Sequence, residues 1–432
     1  MARLEKNGAL RVLLSGDLHL GRSSSRVPES VGANELSVAA AWDRLVKYAI
    51  QSGVHLVCLS GDVADQDNKF WEAIGPLERG IQRLAAEDIR TVVVSGNHDY
   101  DVLERLAAQL PAEHFTLLGR GGTWERLTIE ASGKTLLHID GWSFAQQYVQ
   151  DSPLHNYELE SDPNVPILGM VHGDLDVADS RYAPLELARL QGLPPAGWLL
   201  GHIHAPRLYD GTPWVLYPGS PQALDPGETG AHGVWLVEVS NGRLTVPEMQ
   251  PLSSVWYGQQ TIDLSNMENE VALENTLYDE IRSEADQIAA IAGPNLVCAS
   301  LRLQLVGATA VSHRVEEVAE RVRNELSLFV GNSVVDVEKV ETQTVPPIDL
   351  VQYAESHSAP GAVARLLLEL EEENVSDEVS LLIQQTQQEL EQVERQKEFV
   401  PLDRRGMTKE ATREYLRKQG RALLTQLVSQ TA

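Results

Sequence analysis

The sequence predicts an α/β protein of two to three domains, and three observations lead there. Its 432 residues exceed an ordinary single domain, at about 150 residues each. The first hundred or so residues alternate short apolar runs with stretches of helical periodicity, a βαβαβ pattern. Beyond about residue 115 the pattern changes to paired short strands with turn residues between them.

Taken in order, residues 10–16 form a first apolar strand. Val38, Trp42, Leu45 and Ala49 recur at helical spacing, and residues 56–60 give a second strand. Phe70, Ile74, Leu77, Ile81 and Leu84 mark a second amphipathic helix, and residues 91–95 a third strand. Such a start favours a buried parallel sheet. Strands at 127–130 and 135–139 flank a Ser-Gly turn, and those at 235–239 and 244–246 flank Asn241-Gly242, a strong hairpin signal. With further apolar strands at 165–171 and 197–200, residues 1–250 read as one sheet-rich domain with outer helices.

Residues 251–345 read as a separate small α/β unit. It has a strand at 261–264, a helix over 271–291 and a strand in which Val297, Ala299, Leu301, Leu303 and Leu305 alternate. A helix with Val315, Val318, Val322 and Leu326 on one face follows, then a strand at 334–340 that closes a βαβαβ unit. Pro346-Pro347 breaks the chain. Residues 346–432 are helical over 362–373, 377–398 and 409–429, with Ser376 and Thr408 placed as N-caps. Three helices with little else to pack on suggest a docking appendage.

The chain carries 35 Lys/Arg against 62 Asp/Glu, a formal charge of −27, which argues against broad electrostatic affinity for nucleic acid. The balance is uneven. Residues 395–421 hold nine Lys/Arg and four Asp/Glu, net +5, whereas residues 1–394 hold 26 and 58, net −32. No apolar run approaches the roughly 18 residues that span a bilayer, and the first residues lack a signal-peptide apolar region. A cytoplasmic protein without a membrane partner is expected. Cys58 and Cys298 sit in apolar strand-like runs, as small core residues in a reducing compartment do.

Five polar clusters follow the strands of the first domain: Gly16-Asp17-Leu18-His19, Gly61-Asp62, Gly96-Asn97-His98-Asp99, His172 and Gly201-His202-Ile203-His204. Strand ends are where α/β sheets place their sites. Singly each cluster is ambiguous, since Gly-Asp is usually a turn and a lone histidine usually structural. Together they collect five of the twelve histidines. The residue types suit a pair of divalent cations. Asp17 and His19 can hold one, Asp62 can bridge both, Asn97 offers an amide oxygen, His172 and His202 offer imidazoles, and His204 can close the first site. Carboxylate, amide and imidazole without thiolate suit Mn, Fe, Zn or Ni. Two carboxylates facing two dications leave a net positive site that attracts phosphate even in an acidic protein.

This constellation resembles the calcineurin-like metallophosphoesterase family over roughly residues 10–240. The resemblance implies a four-layer α/β/β/α sandwich with a small α/β cap and C-terminal helices. It implies that Asp17, His19, Asp62 and His204 hold one metal, and that Asp62, Asn97, His172 and His202 hold the other. His98 is then the catalytic histidine near the scissile phosphate, and Asp99 orients it. Within the family the chain looks most like the SbcD and YhaO branch of DNA repair nucleases. The features that carry this are Asp17-Leu18-His19-Leu20-Gly21, Tyr217-Pro218-Gly219-Ser220, Gly227-Glu228-Thr229-Gly230 and His232-Gly233. The branch implies a DNA exonuclease or endonuclease that works with an SMC-like coiled-coil ATPase through its C-terminal helices.

The reading is therefore a two-metal phosphodiesterase on DNA, with manganese first and Fe, Zn or Ni as alternatives. Homodimer formation is left open. Arg404, Arg405, Arg417 and Lys418 are candidate contacts to DNA or partner. One departure stands out: the cap region, 251–345, carries six Lys/Arg against fifteen Asp/Glu, net −9, where a grip on DNA would call for base. The alternatives are a hydrolase of small phosphoesters, such as nucleotides or a lipid pyrophosphate, with the cap as specificity lid, and a non-catalytic scaffold. His55, His114, His138, His155, His313 and His357 lack a partner pattern and read as structural, and Trp142 and Tyr182, which could line a groove, read first as packing residues.

Overall fold

The computed structural model describes residues 9–65, 71–177, 179–265, 267–326, 328–372, 374–394 and 408–429. Residues 66–70, and with them Phe70 of the expected second helix, lie outside the described residues. The chain divides into two interleaved compact units. One comprises Met1–Ile262, Glu274–Gln304 and Ala319–Glu341; the other comprises Asp263–Leu273, Leu305–Val318 and Thr342–Ala432. Residues 251–345 thus contribute to both.

The first unit opens with β1 (Leu10–Ser15), α1 (Val38–Gln51), β2 (Leu56–Leu59), α2 (Trp71–Ala86), β3 (Arg90–Val93), α3 (Val102–Ala107) and β4 (Phe115–Leu117). Strands β1 to β4 pair in parallel in that order. Helix α1 starts where the Ser37 hydroxyl accepts from the Ala40 amide at 3.2 Å. Its Trp42 reaches across to donate to the Pro76 carbonyl inside α2 at 3.0 Å. Val38, Trp42, Leu45 and Ala49 of α1 and Leu77, Ile81 and Leu84 of α2 share one core with Leu13, Val57, Leu59 and Val93 of the sheet. The helical spacing read from the sequence is this buried face.

A second sheet follows, built from β5 (Glu125–Ala131), β6 (Lys134–Trp142), β7 (Ile167–His172), the short helix α4 (Leu187–Gln191), β8 (Gly197–Gly201), β9 (Arg207–Tyr209) and β10 (Trp214–Tyr217). Its order is β5-β6-β7-β8-β10-β9. The β5–β6 hairpin is as expected, but the rest departs from a run of hairpins: β6, β7, β8 and β10 all pair in parallel. Their crossovers are mostly irregular chain, so no helical periodicity marked them. Strands β11 (Gly233–Ser240), β12 (Arg243–Leu244) and β13 (Glu248–Pro251) return to the first sheet, where β11 lies antiparallel to β1. Leu10, Val12, Leu14 and Cys58 of the first sheet share a core with Ile139, Leu168, Met170 and Leu199 of the second. The two sheets therefore face each other, and the carboxyl ends of β1, β2, β3, β7 and β8 carry the polar clusters.

A four-stranded sheet, in the order β14-β15-β17-β16, is made by β14 (Val255–Asp263), β15 (Cys298–Ala308), β16 (Leu328–Val330) and β17 (Ser333–Val345). Helices α5 (Glu270–Ala292) and α6 (Val315–Glu325) fall between its strands in sequence. The expected closing strand is one arm of an antiparallel β16–β17 hairpin that turns at Gly331, whose φ is +60°. The C-terminal helices are α7 (Leu350–Ala354), α8 (Ala359–Glu369), α9 (Asp377–Glu394) and α10 (Lys409–Ser429). Ser376 and Thr408 do cap: their hydroxyls accept from the Val379 and Ala411 amides at 3.3 and 3.1 Å. Leu424 of α10 is buried against Ala364 and Leu367 of α8. No helix among the described residues is long and apolar enough to cross a membrane, and both cysteines are buried free thiols.

Candidate metal centre

The loops after β1 and β2 are zipped together by backbone bonds. The Asp17 amide donates to the Gly61 carbonyl at 3.0 Å, and the His19 amide to the Asp62 carbonyl at 2.9 Å. This brings the first two clusters side by side. It also holds Asp17, His19 and Asp62 at φ of 48°, 51° and 48°, and His202 stands at 105°. A left-handed conformation in a non-glycine residue costs on the order of 1–3 kcal/mol and collects at functional sites. Gly61, at φ +95°, has no room for a Cβ, which would lie 2.8 Å from both the Gly96 nitrogen and the His172 ring.

Seven residues from the five clusters converge. Asp17, His19 and His204 present ligand atoms within 4.8 Å of one another, and so do Asp62, His172 and His202. The Asn97 Oδ1 lies 3.1 Å from the His172 Nε2, which is 3.3 Å from an Asp62 oxygen. His19 Nε2 and His204 Nε2 face each other at 3.0 Å. Asp62, His19 and His172 are buried, whereas the side chains of His202, His204 and His98 are 20%, 25% and 33% exposed. The centre therefore opens to solvent along those three rings.

Each of the four ring ligands has one nitrogen tied to an oxygen outside the centre. His172 Nδ1 donates to the Ser60 carbonyl at 3.0 Å. His204 Nδ1 meets Glu228 at 2.6 Å, His202 Nε2 meets Asp174 at 3.2 Å and His19 Nδ1 meets Asp65 at 3.3 Å. Donation from one nitrogen leaves the other as a lone pair, the tautomer a metal ligand needs. Asp17 Oδ1 accepts from the His202 amide at 2.9 Å, and its Oδ2 is buried with no hydrogen-bond partner. Converging lone pairs and an unsatisfied buried carboxylate oxygen fit a divalent cation.

The electrostatics agree. Burial opposes ionisation of Asp62, but the charge of His172 and its hydrogen bond hold the carboxyl well below the usual range. Burial likewise lowers His172, yet Asp62 outweighs it and pushes the ring up to about 9. One position between the two groups can take a proton or a cation, so metal binding there releases protons. At His98, burial outweighs the Asp62 charge and pulls the ring below its ordinary value.

His98 sits beside this set. Its amide donates to Asp62 Oδ1 at 2.9 Å, its ring centroid is 5.0 Å from that of His19, and its Nδ1 is 3.7 Å from Asp65. His19, Asp65 and His98 form a third trio of close ligand atoms. Asp99 is placed differently from the expected role of orienting His98. Its buried carboxylate accepts from the Gly96 amide at 2.8 Å, the Val63 amide at 2.7 Å and the Ala64 amide at 3.4 Å. A buried charge takes the strongest donors in reach, and here these are backbone amides of the two loops that carry Asp62 and Asn97.

Asp65, Asp174 and Glu228 escaped the sequence reading as site residues. Asp65 falls three residues after Asp62 and Asp174 two after His172, and Glu228 lies in the Gly227-Glu228-Thr229-Gly230 run already singled out. Arg417 and Lys418 lie on α10 in the second unit, where Arg417 pairs with Glu410 at 2.9 Å. Arg404 and Arg405 lie outside the described residues.

Residues 10–206 match the family model for calcineurin-like phosphoesterases. A Bacillus subtilis (strain 168) protein named as the uncharacterized metallophosphoesterase YhaO is 28% identical over 277 residues, which are 62% of this chain and 67% of that protein. Among solved structures, the Thermus thermophilus protein TT1561 is similar over 55% of this chain and 97% of its own, at 14% identity and a TM-score of 0.34. A dimetal phosphatase from Danio rerio is similar over 54% and 93%, at 12% identity and a TM-score of 0.35. Residues 10–206 are thus similar to the calcineurin-like phosphoesterases, and that match, together with the Asp/His donor sets, supports a metal-dependent phosphoester hydrolase.

Proposed function

We propose that the chain is a two-metal phosphodiesterase that cleaves DNA, with manganese as its metal and an SMC-like coiled-coil ATPase as its partner. The observation that carries the phosphoester chemistry is the set of four histidines, each tethered through one nitrogen so that the other meets Asp17, Asp62 or Asn97. In this reading Asp17, His19, Asp62 and His204 hold one ion, and Asp62, Asn97, His172 and His202 the other. Ions held there would supply Lewis acidity to a phosphoryl oxygen and would lower the pKa of a water nucleophile.

The protein's own groups do the rest. Asp62 stays ionised between the two donor sets and screens one from the other. His98 is carried by a backbone bond to Asp62 and stands at the open side, where its ring can donate to the leaving oxygen. Asp65 holds His19 by hydrogen bond and lies near the His98 ring, and Asp99 fixes the two loops by their amides.

DNA as substrate is supported by the motifs shared with the SbcD and YhaO branch and by the two segments that follow the phosphoesterase fold. In this reading residues 1–250 catalyse, residues 251–345 cap the site and residues 346–432 dock the ATPase. One observation favours a second reading, a small-phosphoester hydrolase with a specificity lid. Five of the six cations in 251–345 are committed to neighbouring acids: Arg302 to Glu338, Arg314 to Glu270, Arg321 to Glu274, Arg323 to Glu320 and Lys339 to Glu341. Cations so paired are poor grips for phosphate. The test is purified protein with Mn on linear, hairpin and single-stranded DNA, alone and with a coiled-coil ATPase. Turnover of bis-p-nitrophenyl phosphate without DNA cleavage in any arm selects the second reading.

A further inference from the structure

A row of rings runs outward from the metal centre, and no step above uses its outer members. His172 and His202 have centroids 5.3 Å apart. Tyr182 lies against His202 at 4.9 Å, with the planes only 34° apart. Tyr148 follows at 5.8 Å from Tyr182. The Arg181 guanidinium lies over both tyrosines, 4.9 Å from one ring centre and 5.7 Å from the other. Tyr182 is half-buried, Arg181 is exposed and Tyr148 is 42% exposed, so the row climbs from the core into solvent.

The backbone presets this row. The Val149 amide donates to the Arg181 carbonyl, and the Ala183 amide to the Val149 carbonyl, both at 2.8 Å, which clamps Tyr148 beside Tyr182. Asp174 ties the same segment to the centre: one oxygen meets His202 Nε2 at 3.2 Å and the other accepts from the Ser180 hydroxyl. That hydroxyl in turn accepts from the Tyr182 amide at 2.9 Å. One carboxylate thus positions both a ligand ring and the aromatic shelf.

Rings needed only for packing gain most by full burial, yet here two tyrosines and a guanidinium are held in order at the open side of a phosphoester centre. Aromatic faces stack nucleobases regardless of sequence, and arginine adds a cation–π contact and a phosphate donor. We infer that Tyr148, Arg181 and Tyr182 form a subsite that stacks an unpaired nucleobase next to the scissile phosphate, so that single-stranded DNA is the preferred ligand. The inference rests on the DNA reading above and deepens it.

The test uses the full-length protein and a single-stranded oligonucleotide carrying 2-aminopurine, with an abasic copy of the same strand. Binding is read by 2-aminopurine fluorescence, with and without Mn, and cleavage by gel. Stacking quenches the probe on binding to the wild type. Tyr148→Ala and Arg181→Gln each weaken binding about fivefold to 100-fold, raise KM more than they lower kcat and erase most of the preference for the base-containing strand. Tyr148→Phe restores it. Tyr182 is left intact because it packs on His202, and Arg181→Gln carries the same test if Tyr148→Ala does not fold. If the wild type cleaves DNA and both variants keep its full preference over the abasic strand, the subsite is overturned and the nuclease reading stands. If the wild type hydrolyses bis-p-nitrophenyl phosphate but neither binds nor cleaves either strand, the nuclease reading fails and the subsite with it.

Discussion

Replacing Asp99 by alanine separates a role in holding the site from a role in catalysis. The wild-type carboxylate is fully buried and accepts two short bonds, at 2.7 and 2.8 Å, and one long bond at 3.4 Å, all from backbone amides. Hydrogen bonds to a charged group contribute about 1.5–3 kcal/mol each, so losing the two short ones costs about 3–6 kcal/mol. Part of this is offset. Burial, with the Asp62 charge beside it, pushes Asp99 up to about 7, so the carboxylate is costly to ionise and alanine relieves that cost. A net loss of about 2–4 kcal/mol remains, because the freed amides stay buried. Urea unfolding at unchanged m reads it, with metal content and phosphodiester turnover measured in parallel. The expected result is a lower midpoint together with reduced metal content, since Val63 and Gly96 flank the loops of Asp62 and Asn97. Wild-type stability and metal content with a loss confined to kcat would refute this reasoning and make Asp99 a partner of His98.

Three further predictions concern named side chains. Asp62→Ala removes the carboxylate common to both proposed donor sets, and elemental analysis should show at least one ion lost together with activity; near-normal turnover sinks the two-metal reading. His98→Asn should keep the metals and the fold but lose turnover on the order of 100-fold, as expected for an acid–base group; loss of an ion would instead make the His19–Asp65–His98 trio a ligand set. Tyr415 and Leu423 on α10 are 41% and 47% exposed. Replacing both by glutamate should leave unfolding and phosphodiester turnover unchanged while abolishing co-purification with the coiled-coil ATPase, and undiminished capture would exclude this face as the docking element.

Much of this protein is readable from neighbouring residues alone. The apolar runs of β1, β2 and β3, the buried stripe of α1 and the caps at Ser376 and Thr408 follow from local spacing and side-chain chemistry, and the structure shows each. The ligand residue types are legible for the same reason: glycine-flanked Asp, Asn and His at successive strand ends form a pattern written in the chain order. Pairing in the second sheet is not. Strands β6, β7, β8 and β10 run parallel through mostly irregular crossovers, and a crossover without periodicity leaves no local mark of its direction. The acids that tether the histidine rings are equally silent, because Asp65, Asp174 and Glu228 are three of 62 acidic residues until folding sets them against His19, His202 and His204. Adjacency misleads at Asp99, where the carboxylate turns from its neighbour His98 to amides up to 36 residues away. Residue chemistry names the possible donors, whereas which donor meets which acceptor depends on distances that only the packed sheets establish.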